Sequence, residues 1–502
     1  MLALLAGMVP ATAQVDSLAV RYATFLTEDH LRENLTVLAS DAYEGREVGT
    51  PGEKMAAAYI MEQFKRYGIP PIADPEAKGL LADGYRQEFP VVLSHIGGIR
   101  MEVEGRPWNF MQDYFYFYES LPQDLKVAEV MLVTPLTAGG MRLGGGGKVT
   151  MLWDAAGKGQ SAGWLDMNEL GKMVQGTGVE VLLIVDDGAS ELMERFGPMM
   201  QRGRMRLGGQ EKKGKRGSDG PQVMVITPRL GEAILAGAGL KKKKALKQAA
   251  EKRVILKVPV AFKGKSQDEQ LTGQNVLAYV EGTDKKDELV VVTAHLDHVG
   301  VQDGEVYNGA DDDGSGTVAV LGMAEAFAKA KADGHGPRRS MLFMTVSGEE
   351  KGLFGSQWYT EHPVFPLEAT VADLNIDMIG RVDSTHEDND RYVYVIGSKR
   401  LSSELGEIVE RQNATYTRLE LDYTFDADDD PNRFYYRSDH YNFAKHGIPV
   451  AFFFNGVHED YHGPYDEVDK IRFDLLHQRA LLVYYIAWEL ANREDRPVVD
   501  GE

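Results

Sequence analysis

From Asn275 onward the chain alternates short runs of valine, leucine and phenylalanine with amphipathic stretches of helical length. Few folds accommodate that rhythm. A brief, continuously apolar run reads as a strand buried on both faces. Strands interleaved with helices imply a largely parallel sheet covered by those helices. Strands are expected over residues 275–280, 289–293, 340–346, 374–378 and 450–455, and helices over 317–331, 401–412 and 475–490. The expected fold class is an α/β sandwich. Open α/β sheets gather their working groups at the carboxyl ends of strands, so the residues that follow each strand carry the most information.

His295 and Asp297 follow the first strongly apolar run. A His-x-Asp pair lets the imidazole bind a metal while a nearby carboxylate fixes its tautomer. Asp311, Asp312 and Asp313 come next, flanked by Gly309, Gly314 and Gly316. Glycines allow backbone to approach a ligand closely. A similar acidic run, Asp428-Asp429-Asp430, reads as a surface loop. Glu349 and Glu350 stand at the mouth of the 340–346 run. One can coordinate metal while its neighbour stays free to accept a proton. Asp377 sits in an apolar strand, where a carboxylate needs a partner, either metal or backbone. His462 lies beyond the last strand, in Asp460-Tyr461-His462-Gly463-Pro464, with His458 as its competitor. His298 and His440 read as supporting, structural or surface residues. Each motif alone is common. Together His295, Asp312, Glu350, Asp377 and His462 are the set that two zinc ions sharing one bridging carboxylate require.

Composition narrows the classes. A chain of 502 residues exceeds one ordinary domain. Its net charge, 55 − 76 = −21, argues against a nucleic-acid partner. Cysteine is absent, which excludes disulfides, thiolate metal sites and a cysteine nucleophile. No internal run reaches the roughly 20 apolar residues of a membrane span. At the N-terminus, apolar residues 2–9 precede Ala11-Thr12-Ala13, an A-x-A-like cleavage site. That segment resembles a secretory signal without a basic start, and an exported, periplasmic or secreted protein is expected. Between residues 97 and 264 the texture changes to short strands, glycine-rich loops such as 139–147, and basic stretches at 202–216 and 241–244. An inserted small α/β or β domain is expected there, its charge runs solvated.

The chain resembles the co-catalytic zinc peptidases of family M-28, which include leucyl-type aminopeptidases, aminopeptidase S-like enzymes and glutamate carboxypeptidase. The resemblance rests on His295-Leu-Asp297, Gly309-Ala-Asp-Asp312-Asp-Gly-Ser-Gly316, Glu349-Glu350-x-Gly352-Leu353-x-Gly355-Ser356, Asp377-Met378, Ser438-Asp439-His440 and Tyr461-His462-Gly-Pro. Gly45-Arg46 and Gly49-Thr-Pro-Gly-Glu53 are also similar to this family, and the insertion resembles a protease-associated (PA) domain. The resemblance implies a three-layer zinc exopeptidase fold. It divides the chain into a signal (1–13), the first part of the catalytic domain (14–96), the insertion (97–264) and the main catalytic domain (265–502). It implies two zinc ions bridged by Asp312, one completed by His295 and Asp377, the other by Glu350 and His462. Glu349 would be the general base, Asp297 would orient His295, and Tyr435 would stabilise the oxyanion. The implied activity is release of N-terminal residues from peptide substrates. A carboxypeptidase, dipeptidase or cyclase on the same site is the alternative, and a non-enzymatic receptor a third. Side-chain preference and oligomeric state stay open.

Overall fold

The structure, a computed structural model, describes residues 15–73, 80–95, 98–116, 124–134, 147–153, 177–201, 203–209, 221–264 and 267–501. The expected signal, most of the 139–147 loop and much of the 202–216 stretch lie outside the described residues. The chain divides into two compact units, residues 1–91 with 271–502, and residues 92–270.

The first unit is built on a mixed sheet. Its strands are β1 (Arg86–His95), β2 (Gln267–Val280), β3 (Lys285–His295), β4 (Arg339–Val346), β5 (Thr370–Ile376), β6 (Tyr392–Ile396), β7 (Glu420–Asp422) and β8 (Val450–Phe454). Within this unit they run in the order β7-β6-β8-β5-β3-β4-β2-β1. The four central strands β4, β3, β5 and β8 are mutually parallel. β2 joins β4 antiparallel, and β6 joins β8 antiparallel. The expected largely parallel sheet is therefore a parallel centre with antiparallel flanks.

Helices cover both faces. In chain order they include α1 (Ser17–Ala23), α2 (Glu28–Leu38), α3 (Pro51–Arg66), α4 (Gly316–Ala332), α5 (Phe354–Glu361), α6 (Ser403–Gln412), α7 (His440–Ala444) and α8 (Phe473–Asn492). Alternate side chains of a strand point to opposite faces. Val290, Val292 and Ala294 of β3 accordingly join one apolar core with α1 to α4, α6 and α8. Leu289 and Val291 join a second core with Tyr359 of α5 and Phe443 of α7. Each such side chain contributes about 1.5–3 kcal/mol by burial, which explains why these runs carry no polar alternation. Helix α3 begins as its sequence requires. Thr50 accepts the Glu53 N–H at 3.4 Å and Pro51 occupies the first turn. The buried Glu53 carboxylate turns inward and accepts the Gln274 N–H at 2.7 Å.

The second unit has its own core. Val130–Val133, Val149–Trp153, Val181–Val185 and Gln222–Ile226 form a parallel run with antiparallel edge strands. An antiparallel four-stranded sheet shares the core around Met101, Trp153, Leu183 and Phe262. The lysines expected on a solvated face open helix Lys242–Glu251.

Candidate metal centre

Parallel strands present their carboxyl ends on one edge, and the four central strands use that edge. His295 ends β3, Glu349 and Glu350 follow β4, Asp377 follows β5 and His462 lies in the loop after β8. The Asp311–Asp313 loop joins β3 to α4 on the same edge.

Asp312 is the hub, and its two oxygens face different partners. Oδ1 lies 3.3 Å from His295 Nε2, which is also 3.5 Å from Asp377 Oδ1. Oδ2 lies 3.2 Å from His462 Nε2, which is 3.0 Å from Glu350 Oε2. A sixth residue joins them. His298 Nδ1 is 2.9 Å from Glu350 Oε1 and 3.8 Å from Asp312 Oδ2. Two groups of potential ligand atoms result, His295 with Asp312 and Asp377, and His298 with Asp312 and Glu350. Glu349 stands apart, its Oε2 3.9 Å from His295 Nε2. The structure thus brings together all five expected ligands and the spare glutamate. His458, the competitor of His462, faces Asp311 at 3.3 Å instead. His298 was read as a supporting residue. Its position three residues past His295, behind the same strand end, was the available signal.

The three aspartates divide their work. Asp313 accepts the backbone N–H groups of His295, Met378 and Gly316, tying β3, β5 and α4 together. Asp311 accepts from Gly380 N–H at 2.6 Å. Asp466 accepts the N–H groups of Asp311 and Asp312. The peptide bond between Asp312 and Asp313 is cis. Of the three, Asp312 is the one that faces His295, His298 and His462. In the other acidic run, Asp430 caps its own turn and Asp428 is exposed beside Arg400.

Support comes from two further places. Arg46 is buried, and its guanidinium donates to the backbone carbonyls of Leu38, Leu296, Asn308 and Gly309. It clamps the His295–His298 turn to the start of the aspartate loop. Ser438 donates to Asp377 Oδ2 at 2.7 Å and accepts from Asn375 Nδ2 at 2.8 Å. That chain gives the Ser438-Asp439-His440 motif its contact with the site. Asp439 accepts from Ser356 and Asn442 donates to Ser356, bracing the turn from behind. His440 is buried and stacked on Phe452, and burial depresses it to about 3, a neutral structural ring.

Two expected roles change. His295 Nδ1 sits 3.0 Å from the backbone oxygen of Asp297, whereas the Asp297 carboxylate is 3.7 Å away and accepts the Glu349 N–H. The main chain orients the imidazole, leaving Nε2 for the site. Tyr435 does not line the pocket. Its ring packs against Arg400 at 4.1 Å and His440 at 5.6 Å. Tyr461 lines the pocket and stacks on His462 at 3.9 Å. Burial and the carboxylates of Asp312, Glu350, Asp377 and Glu349 all raise its phenol.

The electrostatics ask for cations. Burial opposes charge on His295, yet Asp377 and Asp312 raise it well above the ordinary imidazole value. His462 is likewise raised to about 10 by Asp312 and Glu350, against burial. Burial opposes ionisation of Glu350, but His298 and His462 hold it near 2. Glu349 is pushed well up by burial and by Asp377 and Glu350, against the pull of His295. His295 Nε2, His298 Nδ1, Asp312 Oδ2 and Glu350 Oε1 are buried and have no hydrogen-bond partner among the described residues. Buried polar atoms are normally satisfied. Facing nitrogens and carboxylates left unpaired together match a divalent ion with N and O ligands, zinc above all. Beside them opens a pocket lined by Met378, Phe434, Phe452, Phe454 and Val457, with Arg437 and Ser438.

The sequence model of Peptidase family M28 matches residues 275–487. A probable leucine aminopeptidase of Arthroderma otae is 30% identical over 217 residues, 41% of this chain and 55% of the relative. Aminopeptidase YwaD of Bacillus subtilis is 27% identical over 285 residues, 55% of this chain and 56% of the relative. The chain thus spans about half the length of the curated relatives it matches. Among solved structures, an aminopeptidase from Aneurinibacillus sp. strain AM-1 aligns over 96% of this chain and 98% of its own. Its TM-score is 0.54 at 19% identity, a likeness of fold. BSAP, described as a zinc aminopeptidase from Bacillus subtilis, aligns over 95% and 98% with TM-score 0.52 and 19% identity.

Proposed function

We propose that this chain, whose residues 275–487 form a domain of peptidase family M28, is a zinc metallo-aminopeptidase releasing N-terminal residues from peptides. The observation that carries the proposal is Asp312, whose two oxygens serve two separate ligand groups beside an open apolar pocket. His295, Asp377 and Asp312 would hold one zinc, and Glu350, His462 and Asp312 a second. Zinc there would supply Lewis acidity toward the scissile carbonyl and acidify water. Glu349 would take the proton from water and return it to the leaving amine. Its high proton affinity and its freedom from the ligand groups support that role. The Tyr461 phenol, kept protonated among carboxylates, is placed to donate to the developing oxyanion. The carboxylates of Glu349 and Asp377 offer an acidic wall for the substrate's free amine. Phe434, Phe452 and Phe454 offer an apolar seat for its first side chain.

Arg437 favours a second reading. It lines the pocket, stacks on Phe434 at 4.9 Å and has no carboxylate partner among the described residues. A free guanidinium there would suit a substrate carboxylate, as in a dipeptidase or carboxypeptidase. A panel of free-amino, N-blocked and C-blocked fluorogenic peptides, run with zinc quantitation, separates the readings. Turnover of free-amino substrates and none of N-blocked ones is expected. Equal turnover of both would overturn the aminopeptidase assignment.

Apolar cores on both faces of the sheet support the three-layer zinc exopeptidase fold. The separate core of the second unit supports an inserted protease-associated domain. Export to the periplasm or medium is proposed on residues 2–13. Mass spectrometry of the mature N-terminus tests it.

A further inference from the structure

We propose that His298 is a third imidazole ligand of the centre, coordinating the ion shared by Asp312, Glu350 and His462. The proposal rests on the zinc reading above and adds a residue to it. The ring is buried and neither nitrogen has a hydrogen-bond partner among the described residues. Its Nδ1 is nevertheless 2.9 Å from Glu350 Oε1. An N–H aimed along that line would make a strong charge-assisted bond. No such bond meets hydrogen-bond geometry, and Glu350 Oε1 has no donor among the described residues. Two lone-pair atoms that touch with no proton on their line face a common cation. Atoms bound to one zinc at roughly 2.0–2.2 Å lie about 3–3.5 Å apart. His295 Nε2 and Asp312 Oδ2, both assigned as ligands, are orphaned in the same way.

The pose of the ring is built by the aspartate loop. Gly309 adopts φ +53°, and a Cβ there would stand 2.4 Å from His298 Cγ and 2.2 Å from the Asp312 carbonyl oxygen. The backbone that delivers Asp312 therefore also holds His298. On His462, the ring centroid lies 5.9 Å away at 64°, so two imidazoles approach Glu350 from different sides, one at each oxygen.

The two ions would then differ. One would have a single imidazole with Asp312 and Asp377. The other would have two imidazoles with Asp312 and Glu350. Imidazole suits zinc, whereas a carboxylate-rich site admits manganese more readily. The His298 site is expected to hold zinc more tightly and to fill first.

Zinc-edge X-ray absorption counts imidazoles per ion without reference to activity. The wild-type protein with two zincs should show about 1.5 imidazoles per zinc, and His298→Ala about 1.0. In chelator competition, His298→Ala should release one zinc at least about 10-fold more readily and leave the other unchanged. A wild-type count near 1.0 with two zincs bound overturns the ligand assignment and leaves the aminopeptidase reading intact. So does a His298→Ala protein that keeps both zincs at wild-type affinity. A wild-type protein that binds no zinc overturns both. Should His298→Ala fail to fold, the wild-type count alone decides.

Discussion

Consecutive aspartates on one loop have three unrelated tasks, and only geometry separates them. Asp313 staples strand ends, Asp311 anchors the segment after β5, and Asp312 faces the histidines. Asp312→Asn is expected to abolish metal retention, whereas Asp429→Asn keeps the wild-type content, read by metal analysis of the purified proteins. Glu349→Gln is expected to retain metal and lose at least about 10³-fold in kcat. Tyr461→Phe should lower kcat by about 10–100-fold with KM little changed. Tyr435→Phe should stay within about threefold. Tyr435 lies close to Ser438 in sequence. In space Arg433, at φ +56°, opens a short turn that points the Tyr435 ring at Arg400. No spacing argument anticipates a single left-handed residue. Four of the five candidate positions were legible as residues after a recognisable buried run, and Asp312 by its glycine-flanked acidic loop. His298 was marked only by its place three residues past His295, a signal that a supporting ring would share.

At the scale of elements, continuous apolar runs identified β3, β4 and β8, whereas β5, expected over 374–378, spans Thr370–Ile376 and buries Asp373 and Asn375 against Thr293. The edge strand Glu420–Asp422 is polar at two of its three residues and takes its conformation from the neighbour it pairs with. Tyr392–Ile396 is wholly buried, and its alternation of tyrosine and valine was a usable signal. The connections matter as much as the strands. Ser438→Ala removes the hydroxyl that fixes Asp377. It should weaken metal affinity by about 10–100-fold with little loss of stability, measured by competition with a chromophoric chelator. Arg46→Met strips donors from carbonyls on two site loops. Each buried acceptor left unpaired costs about 1–3 kcal/mol, so a fall in Tm should accompany the loss of metal.

For the whole molecule, one buried carboxyl links stability to pH. Burial raises Glu53 from the ordinary value to about 8, against the pull of the Gln274 N–H. The native state therefore holds a proton that the unfolded chain releases near pH 4.5. The stabilising contribution is complete below that pH and is lost as pH climbs toward 8, by up to about 1.4 kcal/mol per unit. Glu53→Gln mimics the protonated side chain. Its stability relative to wild type should rise across this window, followed by denaturant titration at successive pH values. A flat difference would refute the shift.

Arg46 and its four acceptors also set a timetable. The guanidinium emerges from the ribosome early, while the Leu296, Asn308 and Gly309 carbonyls that receive it are translated some 250 residues later. Everything between, including the entire second unit, must be synthesised while that cation waits in water. The first part of the first unit is thus a half-finished wall whose keystone socket arrives some 250 residues later. A nick placed between the halves should leave two fragments that cling together without a covalent link.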